Sequence, residues 1–180
     1  CGSLQVLDLN HSHIGSIKLL AECQQLRWLS IGHARIHTLQ GLEWCTKLEH
    51  LNASNCGRLN SVGALVSCRE LKYLNISSTA VKDLKPLESC TKLEHLLCGE
   101  TRIKSIAVVK SFPRLKRLHL PASKDAIRNL DALSDCKELE ELHMWNCSEE
   151  DLNFLVECKE LRRLDLSRST ELKDIEALSE

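Results

Sequence analysis

Seven apolar positions recur at one fixed spacing through the whole 180-residue chain, and no other feature restricts the possible folds as much. Between Cys68 and Ser89 they are Cys68, Leu71, Leu74, Ile76, Val81, Leu84 and Leu87. Copies of this unit start at residues 1, 23, 45, 68, 90, 112, 136 and 158, a period of 22 to 24 residues. Of the 56 positions in the grid, 55 are apolar, and Glu149 is the exception. One copy is too short to bury seven such groups by itself. Stacked copies can do so jointly, with stability shared between neighbours.

Each unit has two parts with different periodicities. Leu26, Leu29 and Ile31 alternate as one side of a short strand turned inward. Ile36, Leu39, Leu42 and Cys45 then recur every third residue, which fits tight 3₁₀ turns better than the 3.6-residue α-helix. The expected architecture is an α/β solenoid, a right-handed superhelix with a concave parallel β-sheet and short 3₁₀ or irregular convex segments. Residues 1–180 are read as a single domain of eight repeats. Neither terminal unit carries the polar face that closes a finished solenoid, so the chain is expected to be part of a longer protein.

Cysteine is abundant, with 10 in the chain. Cys1, Cys23, Cys45, Cys68, Cys90, Cys136 and Cys158 take the same place in successive units, and Phe112 takes it in the sixth. A slot that accepts Cys or Phe wants an apolar group, so these thiols are expected in the core of a protein from a reducing compartment. An intracellular, cytoplasmic location follows from that reading. The Asn-x-Ser triplets at Asn10, Asn52, Asn75 and Asn146 fall where the strand-turn pattern itself supplies Asn and Ser. Glycans there would crowd the sheet face.

The units resemble the leucine-rich repeat family, in particular the 22-residue subclass known from the regulatory subunit of a protein phosphatase, LxxLxLxxNxIxxIxxLxxLxx. The segments Asn75-Ile-Ser-Ser-Thr-Ala-Val and Cys98-Gly-Glu-Thr-Arg-Ile are also similar to leucine-rich repeat proteins of trypanosomatid parasites. The family's turn asparagine corresponds here to Ser12, Thr79, Thr101, Ser123 and Ser169, hydroxyls that can bond the adjoining backbone. Ala34 and Cys147 serve that turn less well. Extra residues must bulge between Ala53 and Leu59, between Leu120 and Ile127, and between Leu166 and Leu172, making Pro121 to Ala126 a candidate rim loop. Glu149 is expected to turn outward, since burying its carboxylate is costly.

Equivalent residues on adjacent parallel strands form columns about 4.8 Å apart. One column reads Val6, Trp28, His50, Tyr73, His95, Arg117, Glu141, Arg163; its neighbour reads Asp8, Ser30, Asn52, Asn75, Leu97, His119, His143, Asp165. His11, His33 and Trp145 lie near the edge of this face. The chain has only three Trp, one Tyr and two Phe, and three of these six lie on or beside the face. Large aromatic, imidazole and Arg groups in a row are interface anchors, although cross-strand stacking alone also accounts for them. The candidate partner-binding residues are Trp28, His50, Tyr73, His95, Arg117, His119, His143, Trp145 and Arg163. A further column, Gln5, Arg27, Glu49, Lys72, Glu94, Lys116, Glu140, Arg162, alternates in sign from Arg27 onward and reads as a register-holding charge ladder.

No catalytic constellation emerges. The repeat cysteines occupy core slots rather than electropositive pockets, and there is no phosphate-cradling glycine loop. His119, His143 and Asp165 fall on three successive strands with zinc-type ligands, but imidazoles side by side on an open sheet are more often solvated. No metal, cofactor or small-molecule substrate is expected. With 24 Lys plus Arg against 25 Asp plus Glu, no net field draws the chain to nucleic acid. No apolar run is long enough to span a membrane. The expected function is non-enzymatic: a protein–protein interaction module, a scaffold or recognition arm binding another protein on its concave face. Two alternatives stand beside it, an extracellular ligand-recognition or adhesin domain, and the substrate-recognition arm of a larger enzyme such as a ubiquitin ligase.

Overall fold

A computed structural model describes residues 1–122 and 127–179. Its framework is one parallel sheet of eight three-residue strands in chain order: β1 (Val6–Asp8), β2 (Trp28–Ser30), β3 (His50–Asn52), β4 (Tyr73–Asn75), β5 (His95–Leu97), β6 (Arg117–His119), β7 (Glu141–His143) and β8 (Arg163–Asp165). The register repeats without slippage, so Leu29, Leu51, Leu74, Leu96, Leu118, Leu142 and Leu164 form one row. That row fixes which residues share the outer face, because a one-residue slip would turn every leucine outward.

The return of each coil contains a 3₁₀ segment, such as Leu42–Trp44, Lys85–Leu87 or Ala107–Ser111, and no α-helix occurs among the described residues. The three-residue spacing therefore means what its period implies. In the interior repeats the grid is buried: Leu48, Leu51, Ala53, Leu59, Val62 and Leu65 are fully shielded, as is Phe112 in the cysteine slot. The solenoid reading of the leucine-rich repeat pattern is what the structure shows.

Nine of the ten cysteines are buried, and all ten are free thiols. The slot does more than take up apolar volume. Cys45 Sγ donates to Leu20 O at 3.4 Å, Cys68 to Leu42 O at 3.5 Å, Cys136 to Val109 O at 3.6 Å and Cys158 to Leu133 O at 3.4 Å. Each thiol thus supplies a second donor to the 3₁₀ segment of the coil before it, on a carbonyl that already accepts the backbone N–H three residues on.

Several expectations need correction. Cys1, in the first described coil, is exposed rather than in the core. The terminal units bury their grid only in part: Leu4, Leu7, Leu161, Leu164 and Leu172 are half-buried, and Ile175 is 60% exposed. Glu149 is neither fully outward nor buried; it sits half-exposed while Cys147 beside it turns into the core. Of the hydroxyls assigned to the turn, Thr79 and Thr101 donate to Ile76 O and Cys98 O at 2.7 Å, whereas Ser12 Oγ is buried without a partner. Ser169 Oγ instead accepts from the Cys147 N–H of the preceding coil. The candidate rim loop Pro121 to Ala126 lies largely outside the described residues, which resume at Ile127.

Candidate functional site

The sheet register places Trp28, His50, Tyr73, His95, Arg117, Glu141 and Arg163 side by side on β2 to β8. Strand alternation that turns Leu29 and its counterparts inward turns this column out. From Trp28 to His95 it is a run of ring contacts. Trp28 stacks on His50 with centroids 5.1 Å apart, His50 on Tyr73 at 4.2 Å, and Tyr73 meets His95 at 6.0 Å with planes tilted by 57°. All four are half-buried.

The Nδ1 atoms of His50 and His95 are buried with no hydrogen-bond partner. An unpaired buried N–H costs more than an unpaired lone pair, so the neutral tautomer carrying its proton on Nε2 is favoured. Burial pulls both imidazoles below their usual 6.5, and at His95 the neighbouring Arg117 charge acts in the same direction. At neutral pH the run is therefore uncharged, with ring N–H donors toward solvent.

At Arg117 the column changes character. Glu141 accepts from Arg117 Nε at 2.9 Å, from His119 Nε2 at 3.1 Å and from His143 Nε2 at 2.8 Å. Burial pushes the Glu141 carboxyl upward, but the bonds from His119 and Arg117 outweigh it and hold the group at about 2. His119 and His143 rings lie 4.1 Å apart, and Trp145 meets His143 edge-on at 6.2 Å. The sequence grouped these histidines with Asp165, yet Asp165 reaches only to 3.7 Å from His143 Nδ1. Glu141, from the neighbouring column, is the carboxylate that joins both imidazoles, because its side chain spans the diagonal between columns. Its register neighbour Arg163 is exposed on β8.

The second column serves the turns as much as the surface. Asp8, Asn52, Asn75 and Asp165 each accept the backbone N–H two residues on, at 2.9 to 3.1 Å. Ser30 is fully buried and donates to Asn10 Oδ1 at 2.7 Å. Hydrogen bonds from the Ser167 side chain and backbone, and from Trp145, hold Asp165 at about 2. Trp145, 44% exposed, opens onto a groove of about 590 Å³ lined also by Ala122, Asn146, Asp165, Ser167 and Arg168. His11 and His33 stack at 4.2 Å near the other edge. Trp44 is also exposed, but it belongs to the 3₁₀ returns away from this face.

The charge ladder forms in part. Glu49 bridges Arg27 and Lys72, and Glu94 meets Lys116 at 3.7 Å, whereas Arg162 turns to Glu160 of its own coil. Five of the buried thiols are poor nucleophiles. Burial raises Cys45 and Cys90 to about 11, and Cys68, Cys98 and Cys136 to about 12, so at neutral pH they are not thiolates. No helix among the described residues is long and apolar enough to cross a membrane.

No family model matches the sequence, and no curated protein matches it. Solved structures do match the fold. An internalin (inlF) from Listeria monocytogenes superposes with a TM-score of 0.86 at 24% identity, over 93% of this chain and 48% of that one. Internalin C2 (inlC2) from the same organism gives 0.88 at 20% identity, over 97% and 75%. The plant peptide hormone receptor RGFR1, solved in complex with RGF2, gives 0.74 at 15% identity, over 93% and 29%. This chain thus spans about half the length of the inlF structure, and the likeness is one of fold, the leucine-rich repeat solenoid.

Proposed function

We propose that this leucine-rich repeat solenoid is a protein-binding module, and that it holds its partner against the outer face of the sheet. The observation that carries this reading is the stack of Trp28, His50, Tyr73 and His95. It is a rigid, uncharged, half-exposed aromatic strip with N–H donors, flanked by Arg117, His119, His143, Trp145 and Arg163. Rings already packed on one another lose little rotamer freedom on binding, so contact area costs less there than on a surface of lysines. A receptor solved with its peptide hormone shares the fold, which supports a polypeptide partner. A net charge of −1, with Glu49, Glu94 and Glu141 among the cations of the face, favours protein over nucleic acid.

In this reading the chain is a recognition arm without chemistry of its own, placed in a reducing compartment where nine buried thiols stay reduced. The 22-residue unit supports a place in the phosphatase-regulator subclass of these repeats. The test is a comparison of three baits in cell extract: the native chain, Trp28→Ser/Tyr73→Ser/Trp145→Ser, and Trp44→Ser as a control on the opposite side. A protein retained by the first and third but lost from the second supports the reading. Equal recovery on all three baits rejects the face.

A further inference from the structure

We propose that His119, Glu141 and His143 form a binding site for a divalent transition metal, Zn²⁺ being the best match, with an open coordination position facing the outer side of the sheet. The three side chains bring one ligand atom each within 4.8 Å of the others. Two imidazole nitrogens and one carboxylate oxygen are the donor set that borderline metals such as zinc prefer.

The geometry is nearly that of a bound ion. Both Nε2 atoms converge on the same oxygen, Glu141 Oε1, at 3.1 and 2.8 Å. Zinc bonds of 2.0–2.1 Å in a tetrahedron separate neighbouring donors by ~3.3 Å, so the two Nε2–Oε1 spacings need to open by only a few tenths of an ångström. Glu141 and His143 are two apart on β7 and point to the same side, and His119 is the register partner of His143 on β6. The ligands therefore stand on two paired strands, not on a loop. Their side chains are 29%, 15% and 12% exposed for His119, Glu141 and His143, so the site is largely shielded and opens on the His119 side.

The groups behind the ligands fit as well. Arg117 Nε holds Oε2 of Glu141, which orients the carboxylate and leaves Oε1 for the metal, though its positive charge limits affinity. Metal on Nε2 of His143 leaves the proton on Nδ1, which faces Asp165 Oδ2 at 3.7 Å, and Asp165 is itself fixed by Ser167. A carboxylate behind a ligating histidine is the usual second partner in zinc sites. Nothing in this argument depends on a protein partner.

The experiment is calorimetric titration with ZnCl₂ of a Cys1→Ser chain, because Cys1 is the one exposed thiol and would bind zinc by itself. Binding of one Zn²⁺ per chain is expected. His119→Gln and Glu141→Gln should each abolish it, and Asp165→Asn should weaken it about 10–100-fold. Circular dichroism keeps loss of a ligand distinct from loss of fold, and His119, the most exposed of the three, is the safer substitution. Absence of binding to the Cys1→Ser chain, or equal binding by a folded His119→Gln chain, overturns the proposal.

Discussion

The imidazole of His50 lies flat on the phenol ring of Tyr73, centroids 4.2 Å apart and planes within 1° of parallel, although the two belong to different coils. The contact exists because β3 and β4 pair in register, and the register exists because Leu51 and Leu74 must both face the core. Core leucines thus build the surface stack at one remove. A double-mutant cycle with His50→Ala and Tyr73→Ala should return a coupling of about 0.5–1.5 kcal/mol in denaturant unfolding, the range for aromatic pairs. A coupling indistinguishable from zero would mean that the rings are merely neighbours.

Acid should weaken the fold through His50 and His95. Burial holds both below 6.5 in the folded chain, while in the unfolded chain they titrate near that value. Between the folded values and 6.5 the unfolded state carries protons that the folded state lacks, so stability rises with pH across that window. The contribution is complete above about 6.5 and gone below the folded values. Urea midpoints measured from pH 5 to 8 should show this slope, and His50→Phe/His95→Phe, which keeps the ring stack, should flatten it relative to the native chain.

The thiols make a complementary prediction. A disulfide-exchange reagent at pH 7.5 should label one cysteine promptly, Cys1, and all ten after guanidinium. Five of the buried thiols, raised by burial from 9.0 to about 11 or 12, stay protonated in the folded chain when the unfolded chain has already lost those protons. Stability should therefore fall as pH climbs from about 9 toward 11 to 12. Fewer than ten thiols in guanidinium would show that some are bonded to each other.

Much of this was legible in the sequence because it depends on period alone. Leu29, Leu51 and Leu74 recur at one place, and a place that recurs must pack against its own copy. What escaped depends on who the neighbour is. Leu172 and Ile175 carry the same signature as buried Leu59 and Val62, yet lie in the last coil and remain partly in water. Glu141 stood in a different column from His119 and His143, and only the reach of its side chain reveals that it joins them. The donor role of the cysteine slot was likewise hidden, since Phe112 accepts the volume without the hydrogen bond.

The turn after each strand hides its own signal. His11, His33, Asn55, Ser78, Glu100, Asn146 and Arg168 all adopt left-handed backbone, φ 54° to 65°, at the same place in their coils, and none of them is glycine. The N–H groups of His11, His33, Asn55, Ser78 and Asn146 extend the sheet ladder, as in His33 to Ser54 O at 2.9 Å and Ser78 to Gly99 O at 2.9 Å, and that pairing sustains the strain there. Left-handed backbone costs a side-chain-bearing residue about 1–2 kcal/mol, while glycine adds about 0.5–1 kcal/mol of unfolded-state entropy. Arg168→Gly should therefore stabilise the chain by up to about 1 kcal/mol. Gly41→Ala should do the reverse. Gly41 has φ 111°, and a Cβ there would stand 2.7 Å from Ile17 O and 2.9 Å from Lys18 O, both backbone atoms of the preceding coil that cannot swing away. A loss on the order of 1–3 kcal/mol is expected, because the two coils must move apart to admit the methyl group. Thermal melts of both variants beside the native chain decide the matter. If Arg168→Gly melts lower, the arginine side chain contributes more to that turn than its backbone strain removes.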